Sequence, residues 1–440
     1  MRRHEVLKFL TVFVLVVGLL GGVFMAGVHV HRVKNLFTKV LREVPILTRT
    51  RPIWHLQPAR YQGNGVTINN TLDDDRVLLA GFFEQSNEIR LIRRDGSIVA
   101  HWPLAFSKIF TDTRHIAEPP VTDWNIDTHG ALILPDGSVV FNFENAGLVK
   151  LDRCGKVLWK VAKQTHHSVE RAEGGGYWVP GRRYVEEETT PRFPPFEAPY
   201  FEDTIMKISE EGQVLLETSL VELLYKNNME ALLTANTERP EHREITHLNK
   251  IAELSTEMAG DFPMFAAGDL LLSVRGQNAI LVIDPNVQNI RWWSIGPWVR
   301  QHDPEFKSGG TISVFNNNGY ARVLVTPGDP LGSSDPFFFR LSNIIEIDPA
   351  TYEHRIVYGG VKGQEMFTVI RGKHELTARG GLLITETEGG RVFETDRDGR
   401  IVWQFINRYD QDDIAEITEA RIHPSEYFEV RDWSCPEAGA

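Results

Sequence analysis

One pattern of hydrophobic and polar positions returns along the chain: an alternating apolar strand, a short polar turn, and a second apolar strand. It is read at IRLIRRDGSIVAHW from Ile89, LVKLDRCGKVLWKV from Leu148 and IMKISEEGQVLLET from Ile205. It returns at ILVIDPNVQNIRWWSI from Ile280, IIEIDPATYEHRIVYG from Ile344 and VFETDRDGRIVWQF from Val392. The flanks carry the period of two expected of half-buried strands. The turns DG, CGK, EEG and DP use residues tolerant of positive φ, or a proline that presets the bend. Between these six copies lie HGALILPDGSVVFNFE, EGGGYWVPGRR, AAGDLLLSVRG, GGTISVFNNNG and RGGLLITETEGG, each joining a glycine turn to an apolar strand. Two hairpins per unit, repeated at roughly 50–75 residues, predict four-stranded blades set radially. The expected fold is all-β, a six-bladed β-propeller over residues 76–430, with a β-sandwich or a seven-bladed ring as the alternative. Val221–Met258 reads as a helical or loop insertion between blades, and residues 431–440 as a tail.

The N-terminus follows a different rule. After the basic tail of residues 1–8, Phe9–Val28 contains no charge. Twenty helical residues rise about 30 Å, enough for a bilayer core, whereas the apolar part of a cleavable signal is only about 7–15 residues. Residues 9–30 are therefore expected to be a single transmembrane anchor, with residues 31–75 a linker leading into the propeller. Arg2, Arg3 and Lys8 before the span are matched by Arg32, Lys34, Lys39 and Arg42 after it, so charge leaves its orientation open.

Composition narrows the function classes. The 440 residues carry 59 acidic against 47 basic side chains, a formal charge of -12, which argues against a nucleic-acid partner. The two cysteines, Cys154 and Cys435, have no metal-type spacing, and their pairing is left open.

Histidines recur at one stage of successive units, in the segment leading into a glycine-turn strand. These are His166 and His167, His247, His302 and His374. In a propeller, equivalent stages of every blade converge on the axis. Adjacent side chains on a strand face opposite ways, so one of His166 and His167 is expected at the axis and the other inside a blade. Arg275 ends the apolar run LLLSV, where a guanidinium is costly unless it meets an anion or a carboxylate. Asp127 and His129, in DTHG, read as turn residues more readily than as axial ones. Trp124, Tyr177, Trp178, Phe315 and Phe367 are candidates for the wall of a phenol pocket or for inter-blade core.

Taken in order, HHSVERAEGGGYWV, HLN, LLLSVRGQNAILVID, WWSIG and QHDPEF followed by SVFNNNG resemble the bacterial arylsulfotransferase family, the aryl sulfate sulfotransferases that work without a nucleotide donor. The resemblance spans about Asp123–Ile406 and implies a six-bladed propeller. It also implies transfer of a sulfuryl group from an aryl sulfate to a phenol through a sulfohistidine, with no cofactor and no metal. By motif position His302 would be the nucleophile, joined by the catalytic residues His247, Arg275 and His166. Asn249, His167 and His374 would bind substrate. The family places its active domain outside the cytoplasm, in the periplasm. This chain departs from the pattern after QHD, where the Asn316–Asn318 run replaces the usual aspartate that supports the nucleophile. The competing reading is a membrane-tethered propeller that binds a ligand without catalysis.

Overall fold

The computed structural model describes residues 50–235, 243–319 and 341–435. The predicted span Phe9–Val28 lies outside these residues. Among the described residues, no helix is long and apolar enough to cross a membrane. The chain divides into residues 1–54 and a second unit, residues 55–440. The second unit is a six-bladed β-propeller.

Each recurring sequence phrase is the outer hairpin of one blade. From the axis outward, blade 1 is Ile417–His423, Arg76–Phe83, Ser86–Arg93 and Ile98–Leu104. Blade 2 is Thr128–Ile133, Val139–Phe143, Gly147–Leu151 and Val157–Val161. Blade 3 has a broken inner strand, Gln164–Thr165 and Glu170–Arg171, followed by Tyr177–Val185, Tyr200–Ile208 and Val214–Ser219. Blade 4 is Leu248–Glu253, Leu270–Val274, Ala279–Ile283 and Ile290–Ile295. Blade 5 is His302–Lys307, Thr311–Asn316, Asn343–Ile347 and His354–Tyr358. Blade 6 is Lys373–Leu376, Leu382–Glu386, Arg391–Thr395 and Ile401–Ile406, with Gly65–Asn69 added as a fifth, outermost strand.

Both faces of most blades are buried, so alternate residues serve different neighbours. Leu78 and Ala80 pack toward blade 2 against Ala131, Ile133 and Phe141. Val77 and Leu79, on the same strand, pack toward blade 6 against Leu383, Val392 and Trp403. The ring closes because the last strand of the sheet is the innermost strand of blade 1, with Ile422 opposite Val77. Gly65–Asn69, within the segment read as a linker, binds blade 6 beside Ile401–Ile406. Leu56–Pro58 pairs with Asp413–Ala415. Closure leaves few free sheet edges.

The insertion after blade 3 is shorter than the sequence suggested. Its helix, Leu220–Lys226, is capped by the Ser219 side chain, which accepts from the Glu222 N–H. Leu220, Val221, Leu223 and Leu224 bury against the core between blades 3 and 4. The stretch Leu248–Glu253 is the inner strand of blade 4, because ITHLNKIAE pairs with the LLLSV run.

Cys154 and Cys435 form a disulfide across a sequence separation of 281. It pins the C-terminal segment to the blade 2 turn, beside hydrogen bonds from Arg153 to the Ser434 carbonyl (2.6 Å) and from Tyr427 to the Ile133 carbonyl (2.9 Å). Replacing both cysteines by serine is expected to lower unfolding stability by about 2–5 kcal/mol, since the bridge closes a long loop in the unfolded chain. Thermal melts of the variant against wild type under non-reducing conditions check this.

Candidate active site

The inner strands lose regular register at one end, and that end holds the site. Register shifts fall at Ile417/Glu419 in blade 1, His129/Ala131 in blade 2, Leu248/Lys250 in blade 4 and His302/Glu305 in blade 5. In blade 3 the inner strand is interrupted between Thr165 and Glu170. A bulge re-aims side chains that a regular strand would send into the blade. His167, Asp303 and Arg371 take positive φ of 54°, 50° and 59°. Such backbone costs about 1–3 kcal/mol per residue and collects where function needs it. Gly130 has φ 72°, and a Cβ there would stand 2.1 Å from the His167 carbonyl oxygen, so only glycine lets blade 2 lie against that turn.

These departures gather buried imidazoles on the axis. The His167 ring centroid lies 4.5 Å from that of His129, 4.9 Å from that of His247 and 6.3 Å from that of His302. His302 is held at both nitrogens. Its Nδ1 lies 2.7 Å from Asn317 Oδ1, and the Asn317 amide donates to the carbonyls of Thr368 (2.9 Å) and Arg371 (2.7 Å). The amide is thereby oriented with its oxygen toward the ring, so His302 carries its proton on Nδ1 and a lone pair on Nε2. That lone pair receives the Arg371 backbone N–H at 3.1 Å.

Carboxylates and guanidinia surround the rings. Glu244 Oε2 is 2.8 Å and Arg275 Nη2 3.2 Å from His247 Nδ1. Glu144 Oε2 is 3.0 Å from His129 Nδ1. The Arg371 guanidinium bonds Glu416 at 2.8 Å and also Asp127, whose other oxygen meets His55 Nδ1 at 3.0 Å. Burial, then the Arg275 charge, pushes His302 well below its ordinary value. Burial and the neighbouring rings, His129 first, do the same to His167. Burial works against ionisation of Glu244, yet His247 and Arg182 hold it at about 2. At neutral pH, therefore, His302 and His167 are neutral and Glu244 is charged.

The next positions along the inner strands form an ionic layer. The Lys250 ammonium lies 2.7 Å from Asp303 and 3.1 Å from Glu170, and also contacts Glu305. Arg421 meets Glu170 at 2.9 Å, and Lys373 meets Glu419 at 2.9 Å. These groups come from the inner strands of blades 1, 3, 4, 5 and 6 and pair with one another.

His302, His247 and Arg275 come together as the sequence suggested. Of the adjacent pair, His167 reaches the axis. His166 stands behind it, with Nδ1 2.8 Å from His167 Nδ1 and Nε2 3.5 Å from the buried Asp203 carboxylate, because the broken strand turns it into blade 3. His374 does not join the rings: its Nε2 bonds the Ser313 hydroxyl at 2.7 Å, between blades 5 and 6. Asn249 braces the segment before His302 by donating to the Gln301 carbonyl at 3.0 Å. Asn317 fills the position left in doubt by the Asn316–Asn318 run, accepting from His302 as a neutral amide. His129 and Asp127, read as turn residues, belong to the site, as do Glu144, Glu244 and Arg371. Recurrence was the available signal: DTHG precedes an inner hairpin just as the other histidine segments do. Tyr177, Trp178 and Phe315 belong to the inter-blade core.

Fold and site together define a six-bladed propeller with buried, neutral imidazoles and fixed guanidinia at one end of its axis. The arylsulfotransferase (ASST) family model matches residues 130–408, and the chain belongs to that family. No curated protein matches the chain. Among solved structures, a protein of unknown function from Bacteroides caccae is similar at 15% identity, covering 80% of this chain and 99% of that one with a TM-score of 0.49. Virginiamycin B lyase from Staphylococcus aureus is similar at 14% identity over 80% of this chain and 87% of that one, with a TM-score of 0.40. BamB from Moraxella catarrhalis is similar at 12% identity over 77% and 72%, with a TM-score of 0.32.

Proposed function

We propose that the protein moves a sulfuryl group from an aryl sulfate to a phenolic acceptor through a sulfohistidine on His302. The observation that carries this reading is the fixed tautomer of His302, with Nδ1–H given to Asn317 and the lone pair on Nε2, where attack requires the Arg371 N–H to release it. In the first half-reaction Nε2 forms a bond to sulfur as the sulfur–phenolate oxygen bond breaks. The Arg371 N–H, 3.1 Å from Nε2, then stands beside the new sulfuryl oxygens, and the Arg275 guanidinium adds positive charge. Fixed donors aimed at developing charge are the largest catalytic effect expected here. In the second half-reaction a phenol oxygen attacks sulfur and the N–S bond breaks. His247, backed by Glu244, takes the proton of the incoming phenol and gives it to the leaving phenolate of the next cycle. No nucleotide takes part.

We further assign the propeller to the outside of the cytoplasm, tethered through residues 9–30. The Cys154–Cys435 bridge supports this, as disulfides persist in oxidising compartments. The test of the reaction is acceptor-dependent release of nitrophenolate from p-nitrophenyl sulfate with a phenol and no nucleotide. A folded protein that releases none from several aryl sulfates would favour the non-catalytic binding propeller instead.

A pH profile follows. Since burial keeps His302 neutral below the ordinary histidine value of 6.5, acidification to that value does not protonate the nucleophile. The rate of enzyme sulfation, followed by stopped flow, is expected to stay level from pH 7.5 through 6.5. A rate halved by pH 6.5, and falling about tenfold per unit only below about pH 5.5, would show an ordinary imidazole of value about 6.5 at work.

A further inference from the structure

The segment from His55 to Tyr61, part of what the sequence reads as a linker, lies against the loop that holds His302. That loop runs from Phe367 to Arg371. Its carbonyls at Thr368 and Arg371 accept from the Asn317 amide, and its Arg371 N–H meets His302 Nε2. Arg371 sits at φ 59°, a backbone that a residue other than glycine keeps only where its surroundings impose it.

The N-terminal segment grips this loop at both ends. At the first end the Arg60 guanidinium donates to the Phe367 carbonyl at 2.6 Å and stands 3.3 Å from Glu386. Glu386 in turn accepts the Phe367 N–H at 2.9 Å and the Tyr61 hydroxyl at 2.8 Å. At the other end Glu416 and Asp127 clamp the Arg371 guanidinium. Gln57 donates to the second oxygen of Glu416 at 2.9 Å, and the Glu416 N–H donates to the His55 carbonyl at 3.0 Å. The His55 ring stacks on Phe82 with centroids 4.2 Å apart and places Nδ1 3.0 Å from Asp127. Packing alone does not call for such contacts: the Arg60 side chain is only 5% exposed, and a guanidinium is costly to bury unless its donors are used.

We infer that this N-terminal segment completes the site, with Gln57 and Arg60 as positioning residues that fix the Phe367–Arg371 loop and, through it, the His302 ring. The segment's effect on rate rests on the reading of His302 as nucleophile; its effect on the ring does not. A loop donor displaced by about 1 Å is enough to slow a reaction that depends on alignment.

The test uses the full chain carrying nitrogen-labelled histidine, followed by NMR. The His302 signals, assigned by difference against His302→Ala, should show one tautomer in wild type, protonated on Nδ1. Arg60→Met and Gln57→Met keep a side chain of similar length without the donor. Each should shift His302 toward a mixture of tautomers. Each should also slow enzyme sulfation at saturating aryl sulfate about tenfold, with KM within about twofold of wild type. Arg60→Lys, which retains a donor for the Phe367 carbonyl, should recover much of the rate. Thr67→Val, at an exposed position of Gly65–Asn69 bonded to Gln404, should leave both readouts at wild-type values. A single tautomer kept in both donor-less variants overturns the inference, whatever their rates, because the segment then acts through packing. A mixture already present in wild type, or undiminished sulfation in both variants, overturns it as well. If Arg60→Met fails to fold, Gln57→Met decides by the same criteria. If wild type transfers no sulfuryl group, the reaction proposed above fails, and the tautomer readout still decides the role of the segment.

Discussion

His302→Ala is expected to lower sulfuryl transfer by about a thousandfold or more while leaving the fold intact. Residues that act as a nucleophile with its support commonly cost about that much when removed, the residual rate coming from binding and oxyanion donors. The reason is specific to this ring. Asn317 holds the proton on Nδ1, and the Arg371 backbone N–H marks Nε2 as the nitrogen that carries the lone pair. Two readouts separate chemistry from structure. Protein incubated with sulfur-labelled aryl sulfate and no acceptor should retain label in wild type and lose it in His302→Ala. The thermal midpoint should move by only a few degrees, since His302 contributes few inter-blade apolar contacts. Retained label in the variant would transfer the nucleophile's role to another ring, with His167 the first to examine.

Lys250→Met should be the most damaging single change to stability, at about 3–5 kcal/mol. The ammonium is buried and compensates Asp303, Glu170 and Glu305 together. Its removal leaves three carboxylates in one desolvated space, with Arg421, on Glu170, and the more distant Lys373 left to offset them. Burial and neighbouring Asp303 and Glu170 already push Glu305 up to about 7 despite Lys250. Without the ammonium Glu305 rises further, and Asp303 and Glu170, which Lys250 helps hold below their ordinary values, rise as well. Each such group is destabilising at high pH, and the loss shrinks as the pH falls and protons neutralise it. Denaturation should therefore show a larger deficit relative to wild type at pH 8 than at pH 5.5, and Lys250→Arg should recover much of it. A deficit independent of pH would mean that Lys250 acts through packing and not through charge.

Much of the propeller was legible because its outer hairpins are local. The two outer strands of each blade are joined by a short turn, so their alternation and their turn residues lie side by side in the sequence. All six outer hairpins could be read from this. The inner hairpin of blade 1 could not, because Arg76–Phe83 and Ile417–His423 come from opposite ends of the described propeller. Nothing near either strand announces its partner. The same separation hid the role of Gly65–Asn69 in blade 6 and the pairing of the two cysteines.

The site divides in the same way. The sequence by itself determined which segments carry histidine into the axial end of each blade, and family membership accounts for the prominence of His302, His247 and Arg275. It could not decide between His166 and His167, admit His129, or exclude His374. Those outcomes depend on where an inner strand bulges, and a bulge is set by the backbone of the adjoining strand and blade. Gly130 illustrates it: its positive φ and its approach to the His167 carbonyl exist only once blades 2 and 3 are side by side. Local alternation thus encoded the strands, whereas the direction of each axial side chain was decided by contacts between blades far apart in sequence.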